Sequence, residues 1–252
     1  MINNEQILKN LTKAYRPLYN ERFPLILFWT PKSGCTTLNK WFFYQLGLID
    51  LVEQQSQGDP HKYREFIYEK QTDYLNLLMK AISLPDKKKI KLVRNPYNRA
   101  VSSYLHTISQ DWLIKEFSSN VNVGMSFKDY LMYLKTLGER IYELDRHIAP
   151  QYIRGEETFI ESHIKLEEFN EQIKIVEKNF NLQPSPVSTL SYSPHHLSHA
   201  KVKKGNFAET IFNIDIYAKE LPTTESFYNT HTIKLVNEIF NKDFHFYDYK
   251  MK

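Results

Sequence analysis

The sequence predicts an α/β fold: a mostly parallel central sheet flanked by helices in three layers. The apolar run Leu25 to Trp29 and the short run Ile90 to Val93 each pass at once into a loop and then into a helical pattern, as buried parallel strands do. Amphipathic helical stretches lie between and after them, so the element order begins strand, helix, helix, strand, helix.

Along the chain, Ile7, Leu8, Leu11 and Ala14 recur at helical spacing over residues 5 to 15, giving a peripheral N-terminal helix within residues 1–22 that stops before Pro17. The run LILFW enters Thr30-Pro31-Lys32-Ser33-Gly34, and residues 36 to 46 read as the following helix. Gly58-Asp59-Pro60 makes a turn before a helical pattern from His61 to Ala81, carried by Tyr63, Phe66, Ile67, Tyr74, Leu77 and Leu78. Charged residues 86 to 89 precede the second strand, which Arg94-Asn95-Pro96 ends, and residues 97 to 108 are again helical. Further helices are expected over 127–137 and 167–180. Residues 183–204, rich in Pro, Ser and His, read as an irregular loop segment. Ile233, Val236, Ile239 and Phe240 share one face of a helix over 230–240, before an aromatic tail of Phe244, Phe246, Tyr247 and Tyr249.

With 252 residues, 42% of them hydrophobic, the chain suits a single domain spanning 1–252 with ample core material. A formal net charge of +4 is too small to mark a nucleic-acid binder and fits an anionic ligand as well. The single cysteine, Cys35, excludes an intrachain disulfide and points to a reducing compartment. No secretory-type apolar segment opens the chain and no run of about 18 apolar residues occurs, so the expected location is cytoplasmic, without a transmembrane segment.

Two loops carry the chemistry. A loop between a parallel strand and a helix offers unpaired backbone N–H groups and the positive end of the helix dipole to an anion. In PKSGCTTL, Gly34 allows close approach of the backbone, Lys32 brings a mobile charge, and Ser33, Thr36 and Thr37 bring hydroxyls. The lysine precedes the only glycine, so the Walker A spacing of ATPases and GTPases is not met. In VRNPYNRAVSSY, Arg94 at a strand end and Ser102 on the new helix are placed by the Asn95-Pro96 turn to converge on one phosphate.

PKSGCTTL resembles the 5'-phosphosulfate loop of sulfotransferases, and RNPYNRAVSSY resembles their 3'-phosphate motif, with Arg94 and Ser102 in the matching positions and the two in the family's order. The Pro-Lys-x-Gly-Cys-Thr form is similar to that of the Golgi carbohydrate sulfotransferases of the chondroitin and dermatan type. DRHIAPQY (145–152) and VNEIFNKDFHFYDY (236–249) resemble two weaker motifs of that family, so the likeness covers about residues 24 to 249. Unlike the Golgi members, the chain shows neither a membrane anchor nor disulfide cysteines.

The resemblance implies a P-loop-type sheet and direct in-line transfer of a sulfuryl group from 3'-phosphoadenosine-5'-phosphosulfate to a hydroxyl of a carbohydrate or glycoconjugate acceptor, without a metal. Lys32 is then the residue that offsets charge on the bridging oxygen. Ser33, Gly34, Cys35, Thr36 and Thr37 cradle the 5'-phosphosulfate, and Arg94 and Ser102 hold the 3'-phosphate. Lys204, before Gly205, matches a Lys-Gly turn that closes over the nucleotide, beside the simpler reading of an exposed basic loop. A general base between the two phosphate motifs is expected, and His61 is the only histidine there; Glu53, Glu65 and Glu69 compete with it. His147, inside DRHIAPQY, is the second catalytic candidate.

Other readings are weaker. Cys35 as a nucleophile has no base to activate it. His195, His196 and His199 have partly metal-like spacing but lack an acidic partner and follow Pro194. A nucleotide-dependent phosphotransferase would need a Walker-type lysine and a magnesium-binding acid, neither of which is evident. The presence of Lys32 together with Arg94 and Ser102 argues against the further alternative, a catalytically silent nucleotide-binding module.

Overall fold

Parallel pairing in register joins three strands in the computed structural model: β1 (Leu25–Phe28), β2 (Lys88–Val93) and β3 (Ser162–Lys165), in the order β1-β2-β3. The structure describes residues 3–13, 15–117, 124–190, 201–213 and 220–252. Chain contacts divide into two compact units, residues 1–93 with 153–193, and residues 94–152 with 194–252. The fold is α/β and mostly helical, with two small parallel sheets among the described residues.

The first unit holds the three-stranded sheet. All four residues of β1 are buried, as a wholly apolar strand requires. Helices α1 (Asn4–Lys13), α2 (Cys35–Gln45), α3 (Ile49–Ser56), α4 (Pro60–Phe66), α5 (Tyr74–Ser83), α10 (Phe169–Asn179) and α11 (Val187–Leu190) belong to this unit. After α1 the chain runs extended, and Leu18 exchanges two backbone hydrogen bonds with Leu27, 2.9 and 3.0 Å, covering the free edge of β1.

The helix expected from His61 to Ala81 is broken into α4, a 3-10 turn at Tyr68–Lys70, and α5. Asp73 adopts a left-handed φ of 59° just before α5. The break lets two tyrosines reach the same extended segment, Tyr68 Oη donating to the Tyr19 carbonyl at 2.8 Å and Tyr74 Oη to that of Pro17 at 3.1 Å.

Strand β2 begins two residues before Ile90 because Lys88 and Lys89 pair with Leu25 and Ile26 of β1, and two of its lysines are buried with partners. Lys91, 1% exposed, meets Glu156 at 2.5 Å, and Lys89 donates to the Leu84 carbonyl at 2.6 Å.

The second unit comprises α6 (Pro96–Ile108), α7 (Asp111–Phe117), α8 (Phe127–Leu137), α9 (Ile141–Leu144), α12 (Thr230–Ile239) and α13 (Asn241–Phe246), with β4 (Lys201–Lys203) parallel to β5 (Leu221–Pro222). Its core gathers Tyr104, Phe127, Tyr130 and Phe227 with Val236 and Phe244. The aromatic tail is thus helical at its start, as α13. Of segment 183–204, residues 187–190 and 201–203 are the ordered elements α11 and β4; His195, His196 and His199 lie outside the described residues. No helix among the described residues is long and apolar enough to cross a membrane.

Candidate active site

Residues 30 to 37 of the first unit form a tight turn from β1 into α2. Ser33 donates to the Thr30 carbonyl through both its N–H, at 3.3 Å, and its hydroxyl, at 2.6 Å. The hydroxyl expected to face an anion is therefore spent inside the turn, and Ser33 is fully buried. Lys32 and Gly34 on either side have left-handed φ of 66° and 95°. At Gly34 a Cβ would be strained by that φ and would meet Leu166 Cδ1 at 2.4 Å, which accounts for glycine at this corner.

Gly34 caps α2, and the first intrahelical bond runs from Leu38 N–H to the Gly34 carbonyl at 3.2 Å. The amides of Cys35, Thr36 and Thr37 precede it and have no carbonyl in their own helix to bond. No acidic residue sits in this first turn, so the turn itself carries no charge that would cancel the positive end of the helix dipole.

Helix α4 delivers the histidine. Asp59 caps it, accepting from the amides of His61 and Lys62 at 2.9 and 3.2 Å, with Pro60 at the first helical position. Tyr63 packs edge-on against Phe43 of α2, ring centroids 5.1 Å apart. That contact brings His61 to the loop, where its Nε2 lies 3.1 Å from Thr36 Oγ1.

One turn on, Arg64 stacks on Trp29, its guanidinium carbon 4.6 Å from the ring centroid, and pairs with Glu69 at 2.9 Å. Glu69, also 3.5 Å from Arg16, is buried, and desolvation pushes its carboxyl up despite both arginines. Glu53 and Glu65 are exposed. Burial likewise raises the Cys35 thiol, outweighing the opposing charges of Lys32 and Arg64, so it is a poor nucleophile. Arg64 and Thr30 were not legible as site residues. The only sequence signal for Arg64 is its place three residues after His61, on the same helical face.

In the second unit, Asn95 caps α6 by accepting from the amides of Tyr97 and Asn98 at 3.0 and 3.4 Å. Arg94, just before it, is held through its backbone: its N–H donates to Gln151 Oε1 at 2.9 Å and its carbonyl accepts from Gln151 Nε2 at 2.8 Å. Asp243 in turn accepts from the amides of Gln151 and Tyr152 at 2.9 and 2.8 Å. The RNP turn, the DRHIAPQY segment and the C-terminal tail are thus one connected structure. Ser102 is half-buried on α6.

His147 is bonded through Nδ1 to Asp145 at 2.8 Å and stacks on His106. Lys204 is exposed, in a turn fixed by Ser226 Oγ, which accepts from the Gly205 amide at 3.2 Å and donates to the Lys203 carbonyl at 3.2 Å. Within the first unit, then, the structure brings the predicted loop and His61 together; within the second, it ties Arg94 to the segment that carries His147.

A family model described as the sulfotransferase family matches residues 16–250. No curated protein and no solved structure matches the chain.

Proposed function

The chain belongs to the sulfotransferase family, a family of transfer enzymes, and from that premise we propose that it moves a sulfuryl group from 3'-phosphoadenosine-5'-phosphosulfate to a carbohydrate hydroxyl. The observation that carries this reading is the β1–α2 turn, with left-handed Lys32 and Gly34, an acid-free helix start, and His61 Nε2 at 3.1 Å from Thr36 Oγ1.

The residues present fit an anionic group there. Three buried polar atoms in this part of the first unit, Thr30 Oγ1, Asn39 Oδ1 and Arg64 Nη1, have no hydrogen-bond partner among the described residues. Buried groups of this kind await a ligand or water.

When bound, the donor supplies the sulfuryl group. The amides of Cys35, Thr36 and Thr37 and the hydroxyls of the two threonines bind its 5' oxygens. Lys32 offsets the negative charge that develops as the group departs. Arg94, Ser102 and Lys204 are assigned to the rest of the nucleotide, the first two to its 3'-phosphate, on the sequence pattern. His61, whose Nε2 faces the Thr36 hydroxyl in the structure, is assigned to take the proton from the acceptor hydroxyl at that nitrogen. The P-loop-type layering and the carbohydrate acceptor rest on the likeness of PKSGCT to the Golgi carbohydrate enzymes.

Incubation with radiolabelled donor and a panel of polysaccharides tests the reading. Label should pass to a hydroxyl-bearing glycan, and Lys32→Ala should lower that transfer about a hundredfold or more with the fold intact. Absence of sulfate transfer, together with phosphate transfer from ATP and magnesium, would replace it with the phosphotransferase reading.

A further inference from the structure

Helix α6 clamps the loop after α9 onto one of its faces. Arg99, 1% exposed, donates from Nη1 to the Ala149 carbonyl at 2.6 Å and from Nη2 to that of Arg146 at 3.4 Å. One turn further, Ser103 Oγ donates to the His147 carbonyl. His106 follows on the same face, at helical spacing from both.

The clamp sets three donor side chains together. The rings of His106 and His147 stack with centroids 4.2 Å apart and planes inclined at 26°. Asp145 Oδ1 lies 2.8 Å from His147 Nδ1 and also accepts from the His147 amide at 2.7 Å, which fixes the carboxylate. One nitrogen of each imidazole and one carboxylate oxygen fall within 4.8 Å of one another. All three residues are half-buried, so solvent can reach the cluster and complete a coordination shell.

We propose that His106, Asp145 and His147 bind a divalent first-row cation of the zinc, cobalt or nickel kind. Metal bonds of about 2.0–2.2 Å meeting at the tetrahedral angle place neighbouring donors roughly 3.4 Å apart. The Asp145–His147 edge, at 2.8 Å, opens by about half an ångström to that length as the metal replaces the shared proton. Closing the third edge takes a rotation of the His106 side chain. Two imidazole nitrogens and one carboxylate select such a metal over magnesium or calcium, which take oxygen ligands. The cation would pin the loop to α6, adding to the grip of Arg99 and Ser103. This site involves no residue of the β1–α2 turn and stands or falls apart from the transfer reading.

Isothermal titration of zinc chloride into untagged, chelator-treated protein decides the matter. One equivalent should bind, with micromolar or tighter Kd, and His106→Ala and Asp145→Asn should each weaken it about tenfold or more while circular dichroism stays native. Cobalt loading of the wild type should give visible d–d bands, and zinc should shield His106 and His147 from diethylpyrocarbonate, readouts that do not depend on the variants folding. Absence of saturable binding, binding unchanged in His106→Ala, or loss only in a His195→Ala/His196→Ala/His199→Ala variant would overturn the proposal.

Discussion

Gln151 and Arg94 exchange two hydrogen bonds, N–H to Oε1 at 2.9 Å and Nε2 to carbonyl at 2.8 Å, so a fully buried amide side chain sets the backbone of the arginine that follows β2. Asp243, also fully buried, holds the amide of Gln151 from the other side. Gln151→Ala leaves an N–H and a carbonyl of Arg94 without their partners, a loss of about 2 kcal/mol. In urea denaturation the midpoint should fall at unchanged slope. If Arg94 holds the 3'-phosphate, nucleotide affinity should fall with it.

Lys91 and Glu156 form an ion pair at 2.5 Å with side chains 1% and 3% exposed. Removing one partner strands the other charge, so Lys91→Ala should cost about 3–5 kcal/mol. Lys91→Met with Glu156→Leu should recover part of that in thermal unfolding, the remainder reflecting the Ile153 amide that Glu156 also accepts, at 2.9 Å.

Cys35 opens α2 with a thiol raised by burial. Alkylation of the native protein should therefore be slow near neutral pH and quicken only above the ordinary thiol range near ~8.5. Cys35→Ala should keep transfer within a few-fold of wild type, as direct displacement needs no thiolate. Loss of activity comparable to that of Lys32→Ala would instead point to covalent catalysis.

His61 and Thr36 are separable in kinetics. His61→Ala should lower kcat by about a hundredfold to ten-thousandfold while donor binding holds. If the Thr36 hydroxyl binds the donor as proposed, Thr36→Val should weaken donor binding as well as remove the contact with His61.

The two strand–loop–helix junctions were legible because LILF is a wholly apolar run and Ile90, Leu92 and Val93 make the second run mostly apolar, each with loop residues directly after it. Strand β3 was not, since Ser162-His163-Ile164-Lys165 is short and polar, and pairing with β2 places it. Helices α3 and α7 were also missed, being too short to show a period. The loop's place between a strand and a helix was readable from its residue types, while the loss of the Ser33 hydroxyl to the turn followed only from its geometry. The Thr36–His61 contact spans 25 residues and depends on α4 packing on α2. The grouping of His106 with Asp145 and His147 is likewise tertiary: spacing alone showed DRH, and the partner on α6 came from the Arg99 and Ser103 clamp.

The most direct measurement is isothermal titration of the protein with adenosine-3',5'-bisphosphate, with ATP and magnesium run beside it. The account predicts saturable binding of the bisphosphate, weakened at least tenfold by Arg94→Ala, and little binding of ATP. Preference for ATP and magnesium, or indifference to Arg94→Ala, would contradict it.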